Sequence, residues 1–413
     1  MNETINTRRK PARARSALWR ITLVAVLSLV LPSCAPAVVN PLSATPLPGA
    51  TLPPPSTATS PATAVSASGN EPASSPVPPD PEIEGLYNFP DNVNPLTGLV
   101  VEDPSRLERR PLMVKVSNFP RAGRPHAGLS FADMVFEYYI GYGLNRFMGI
   151  YLSTDASQVG PVRSGRLVDA QLGEMYQGLV FYANADPQVD DVLLQELGPR
   201  ALAEKWIPSP PKYRIGKVLD ETTLFVNTAE LTDYVNRKNE VSNGRRDLRG
   251  MIFSEMIHPV NKPATSLGVQ FWTTTRGEWH YDPQTGKYLR WIEEVKGDNE
   301  IAMIPLVDRM TNEQLTFSNI VILYATYVEY APTLHDIKMF DNTSGKRAIF
   351  FRDGVMIEGS WKTVSNGRPI QFFNSWGLPM HLKPGNTWIV ITGDASTFEE
   401  SDPGTWELRF DLP

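Results

Sequence analysis

Cysteine is almost missing from this chain: of 413 residues only Cys34 carries a thiol. An internal disulfide and a metal site built from several cysteines are therefore excluded. Histidine is scarce as well, with five in all, and none stand at HExxH or paired-ligand spacing, so a zinc enzyme has no support. No GxSxG elbow presents a nucleophilic serine, and no GxxxxGK loop cradles phosphates. The apolar run "ITLVAVLSLVL", residues 21–31, is 11 residues long, whereas a helix crossing the hydrocarbon core needs about 20. Positive charge is in deficit too. The formal net charge is −6, and beyond residue 33 the chain carries 33 basic against 44 acidic side chains, a net of −11. Such a chain does not seek nucleic acid or an anionic bilayer by bulk charge, so any anion it binds is captured locally.

What is present starts with a basic leader. Arg8, Arg9, Lys10, Arg13, Arg15 and Arg20 stand against the single acid Glu3, directly ahead of the apolar run. That is the layout of an export signal. "LPSC" follows, with Leu31 three positions before Cys34 and small Ser33 just before it, and resembles the lipobox of bacterial lipoproteins. The resemblance implies that residues 1–33 are a signal peptide and that Cys34 carries acyl chains such as palmitate. An ordinary secretory signal with a chance cysteine is the alternative. Two or more acyl chains anchor stably where one does not, so the expected location is the extracytoplasmic face of the cell membrane.

Residues 35–82 hold 13 prolines among Ser, Thr and Ala, with almost no charge. Too few large apolar groups are available to offset the entropy of ordering such a stretch, so residues 34–92 are expected to form a disordered tether. Its reach is about 150 Å in polyproline form and about 40 Å as a flexible coil, enough to lift a domain into the cell wall. Ser and Thr beside Pro also suit an O-glycosylated stalk.

From about Asn94 the texture becomes globular, and the remaining length favours two domains, 93–258 and 266–413. In the first, "PLMVKVSN" (111–118), "MVFEYYIG" (134–141), "LNRFMGIYL" (144–152) and "GLVFYANA" (178–185) read as strands. Val168, Leu172 and Met175 share one helical face in "SGRLVDAQLGEMYQ". "VDDVLLQELG" repeats the pattern with Gly198 as a stop, and Asn227 with Glu230 forms a capping box ahead of Leu231, Tyr234 and Val235. Interleaved helices and strands predict an α/β domain with a mixed sheet. The second half predicts mostly antiparallel β structure, with a turn at "DPQTG" and hairpins around Asp353-Gly354 and Pro384-Gly385.

The motifs "NPLTGL", "RPLMVKVSN", "RPHAGLSFADMVFEYY", "LNRFMGIYLS" and "VGPVRSGR", followed by "YDPQTGKYLRW", "NIVIL", "FFRDGVMIEGSWK" and "LKPGNTWIVI", resemble in sequence and order the YerB-like lipoproteins. The resemblance spans nearly all of residues 94–391. It implies a bacterial envelope lipoprotein of two domains, without an assigned activity. Two departures are visible: "YANADP" and "TTLFVN" stand where the family tends to carry His-Ala-Gly-Gly and Pro-His-Asn.

The strongest candidate site is "GPVRSGR". Ser164 is placed to cap a helix, with Arg163 and Arg166 on either side, and arginines at a helix amino terminus oppose its dipole. A phosphate or carboxylate ligand would satisfy them; so would internal acids such as Glu137, Asp133 or Asp169, since structural ion-pair networks imitate sites. Arg146 is expected to converge on the same place. His126, in the "RPHAG" loop, is a candidate acid, base or ligand, although a loop histidine without a recognisable partner more often packs or faces solvent. Asp186, Asp190 and Asp191 lack calcium-loop spacing, and Asp186 is better read as a helix cap. Trp272, Trp279, Trp291, Trp361, Trp376 and Trp388 offer stacking surfaces for sugars but by default belong to the core. Two functions follow: an anchored binding or scaffolding module for an anionic or glycan ligand of the envelope, using Arg146, Arg163, Ser164, Arg166, His126 and Glu137, or a hydrolase or transferase acting on envelope polymers through His126 and nearby carboxylates. No complete catalytic set is visible, which favours binding. No cofactor, metal or nucleic-acid partner is expected, and an envelope protein remains open as a partner.

Overall fold

The computed structural model describes residues 89–412, apart from 217–219, 298–299 and 341. The expected signal peptide, Cys34 and the proline-rich stretch lie outside the described residues. Residues 89–92, expected at the end of the tether, belong to the folded body: Phe89 packs edge-on against Phe253, and the Val93 amide donates to the Pro90 carbonyl at 3.0 Å.

In the first half the strands β1 (Leu112–Ser117), β2 (Met134–Gly141) and β3 (Leu144–Tyr151) are followed by α1 (Leu167–Met175) and β4 (Leu179–Tyr182). Then come α2 (Pro187–Leu197), β5 (Ala201–Ala203) and α3 (Thr228–Lys238). The caps explain the helix ends. Asp186 accepts from the Gln188 amide at 3.0 Å ahead of α2, which stops at Gly198 with φ 56°. Asn227 accepts from the Glu230 amide at 3.2 Å ahead of α3.

The two halves share a sheet. Its order runs Gln371–Asn374, Val355–Lys362, Lys346–Arg352, Asn319–Ala331, Thr387–Gly393, β2, β3, β1, β4, β5. The Thr387–Gly393 strand lies between β2 and Asn319–Ala331 and is parallel to both. This corrects the hairpin expected around Pro384-Gly385, because His381–Leu382 pairs instead, in parallel, with Ile252–Phe253. The reason is burial: all seven residues of Thr387–Gly393 are covered, as befits a strand with both faces packed. The Asp353-Gly354 hairpin is present, with both residues at positive φ, 51° and 73°.

A second sheet, mostly antiparallel, is ordered Ile301–Pro305, Lys287–Val295, Thr275–Asp282, Ser266–Trp272, Thr405–Arg409, Thr397–Asp402. Strand alternation divides the interior in two. Met134, Phe136 and Tyr138 of β2 face a core that includes Val168, Leu172 and Met175 of α1 and Val189 and Leu193 of α2. Val135 of β2 and Phe147 of β3 face the other core, which holds Trp279, Ile292 and Leu267 of the second sheet.

Candidate functional site

β1, β2, β4 and the Thr387–Gly393 strand all run the same way, so their carboxyl ends share one edge of the sheet. In open sheets with helices on a face, that edge is where ligands settle. The segment leading into α1 crosses there, and its side chains meet those of β1, β2 and β3 on the helix-covered face. Lys115 of β1 donates to Asp169 in the first turn of α1 at 3.0 Å, and Tyr138 of β2 bonds to both of them. The other Asp169 oxygen accepts the Arg166 amide at 2.7 Å, capping the helix. Ser164 is therefore not the cap, as expected from sequence, but stands two residues ahead of it, because the aspartate reaches back from inside the helix. The Ser164 carbonyl has another partner, accepting from Arg146 Nη1 at 2.7 Å. Arg166 Nη1 donates to the Gly165 carbonyl at 2.8 Å, and Arg163 pairs with the largely exposed Glu221.

Lys115, Arg146 and Arg166 thus gather near one buried carboxylate, and Arg163 stands beside the two arginines. Burial pulls the Lys115 ammonium down to about 7; Asp169 opposes the shift, while Arg146 and Arg166 add to it. Burial also holds Arg146 well below the ordinary guanidinium range, with Arg166 and Arg163 as the next causes. Arg166 is lowered by burial, against Asp169 and with Arg163. No described carboxylate comes within 4.0 Å of the Arg146 or Arg166 guanidinium. Side chains that depress one another in this way gain when an anion enters, since it relieves both the repulsion and the unmet hydrogen-bonding capacity. Arg146, 8% exposed, forms the floor, and Arg163 and Arg166 lie nearer solvent.

His126 and Glu137 are not part of this group. Alternation turns Glu137 to the opposite face of β2, where its carboxylate accepts from Trp388 Nε1 at 2.7 Å, from Arg290 Nη2 at 3.3 Å and from Asn145. Arg290 in turn lies over the rings of Trp279 and Trp388 at 4.0 and 5.1 Å. Burial pushes Glu137 up, and Arg290 is the main opposing influence. His126 is 1% exposed, edge-on to Phe147 at 5.2 Å, and neither ring nitrogen makes a well-formed hydrogen bond. Burial, reinforced by Arg124, drives the ring down to about 3. Asp133 is also elsewhere, holding the Leu152 and Ser153 amides and Asn94. Of the three acids considered as internal partners, Asp169 alone stands among the arginines.

Lys115, Tyr138 and Glu221 were not legible as members of the site. A lone lysine in the middle of the apolar strand "PLMVKVSN" was the available signal, since a central strand tolerates such a charge only beside a partner. Of the tryptophans, Trp279, Trp361 and Trp388 are core, whereas Trp272 and Trp376 are each 58% exposed.

Two domain families match the chain: the amino-terminal domain described as "Protein of unknown function (DUF3048)" over residues 96–241, and its carboxy-terminal partner over residues 267–389. The chain is similar to "Putative lipoprotein YerB" of Bacillus subtilis, at 28% identity over 314 residues, covering 73% of this chain and 86% of the relative. The crystal structure of the YerB protein from Bacillus subtilis superposes with a TM-score of 0.60 at 26% identity, covering 73% of this chain and 96% of the other.

Proposed function

Since the chain belongs to the YerB-like family, with both of its DUF3048 domains, we propose that it is a lipid-anchored extracytoplasmic protein that captures an anionic ligand of the cell envelope at the carboxyl edge of its central sheet. Acylation of Cys34 supplies the anchor, and the proline-rich segment supplies the reach. The observation that carries the ligand reading is the gathering of Lys115, Arg146 and Arg166 near a single buried carboxylate with Arg163 beside them, the Arg146 and Arg166 guanidiniums having no acidic partner within 4.0 Å among the described residues. A phosphodiester or uronate group on a wall polymer matches the planar fork of arginine. The hydrolase reading has less support, because the base it relied on, His126, is enclosed on the far face of the sheet.

Binding of the full-length chain to purified wall fractions tests the reading. Arg163→Ala together with Arg166→Ala should lower retention by at least about tenfold, each charge-assisted contact contributing about 1.5–3 kcal/mol, while leaving the thermal melt in place. Retention should fall as salt rises. Unchanged retention by the double variant sinks the proposal, as would recovery of a full-length chain with its leader uncut and its Cys34 sulfur unmodified by mass spectrometry.

A further inference from the structure

We infer a second ligand site, a stacking platform for the sugar rings of a glycan chain, where three hairpin ends meet. It stands independently of the arginine site. The hairpin of β2 and β3 turns through Tyr142 and Gly143; a second joins Ser266–Trp272 to Thr275–Asp282, and a third joins Asn319–Ala331 to Leu334–Lys338. Their ends touch. A side chain at Gly143 would collide with the Trp272 ring at 2.5 Å, and one at Gly141 with the Pro332 carbonyl at 1.8 Å. Two of the hairpins carry an exposed aromatic residue here, Tyr142 at 70% and Trp272 at 58%, and the third contributes Glu329 and Pro332.

Folding does not require this arrangement. The loop Tyr142-Gly143 has φ of 52° and 73°, the geometry that favours Asn-Gly, and a tyrosine there is held in the left-handed region at a cost. All three ladders also slip in register beside the cluster, between Tyr139 and Gly141, between Gln270 and Trp272, and between Glu329 and Ala331. Such bulges re-aim side chains. Three independent departures from regular pairing around the exposed rings of Tyr142 and Trp272 point to a ligand rather than to packing.

The lining indicates its chemistry. The depression, about 350 Å³, is bordered by Tyr139, Tyr142, Gly143, Trp272, Glu329 and Pro332, at the small end of ligand pockets, which run roughly 300–1,000 Å³. It contains no Leu, Ile, Val or Met, the aliphatic component that a protein or lipid partner would use. Flat rings offer faces to the C–H side of a pyranose, and the half-exposed Glu329 carboxylate accepts from hydroxyl groups. The exposed aliphatic side chains of Met256, Ile257, Val260 and Leu378 are not in its lining.

Isothermal titration of the full-length chain in detergent with N-acetylglucosamine oligosaccharides is the test. Saturable binding is expected, weakened about tenfold or more by Trp272→Ala and retained within a few fold by Trp272→Phe. Tyr142→Asn should separate the roles: it weakens sugar binding yet raises the melting temperature, because asparagine tolerates the left-handed region. The Arg163→Ala, Arg166→Ala chain keeps its sugar affinity. Absence of saturation in the parent chain, an unaffected Trp272→Ala variant, a loss at the arginines instead, or binding of apolar peptides without competition by sugar would each overturn the assignment.

Discussion

His126 shows what burial does to a single residue. Its ring is held down to about 3 by desolvation and by Arg124, whereas in the unfolded chain it titrates near about 6.5. Between those values the unfolded state binds a proton that the folded state refuses, so this residue makes stability rise with pH through that window and fall on acidification. His126→Leu should therefore flatten the acid limb: urea denaturation at pH 4 and pH 7 will show a smaller difference for the variant than for the parent. The loop position of His126 was readable from the sequence, but its enclosure was not, because that depends on Phe147 of β3 and on the second sheet, both distant in the chain.

At the scale of an element, α1 is held by one carboxylate doing three jobs. Asp169 caps the helix through the Arg166 amide, pairs with Lys115 and accepts from Tyr138. Asp169→Asn should destabilise the fold by about 3–5 kcal/mol, the range for removing one partner of a buried ion pair. The loss should be larger at pH 6 than at pH 9, since Lys115 is charged below its pKa of about 7 and would then have no carboxylate; denaturant titrations at the two pH values check this. The helix itself was plain in the spacing of Val168, Leu172 and Met175. Its starting point was misjudged because a serine resembled a cap, while the capping group came from the third helical residue.

At the scale of the molecule, the ranges expected as two domains are joined through one sheet, in which Thr387–Gly393 fills the place between β2 and Asn319–Ala331. The amino-terminal half by itself would leave β2 with a bare hydrophobic edge. Residues 89–412 should therefore unfold as one unit, with calorimetric and van't Hoff enthalpies in agreement, and residues 93–258 expressed separately should give a poorly dispersed amide spectrum. Two resolved transitions would count against this coupling.

Local pattern determined much of this protein. The lone thiol, the proline-rich stretch, three helices, the strands of the first half and the arginine motif can all be read from neighbours in the chain, because period, caps and turn residues act over a few positions. Tertiary structure decided which face each side chain joined and which distant strand lay beside which. It sent Glu137 and Arg146, nine residues apart on paired strands, to opposite sides of one sheet, and it brought Tyr142, Trp272 and Glu329 together from three hairpins. Contacts of that kind follow from burying both faces of a shared sheet, a requirement that no single stretch of sequence expresses.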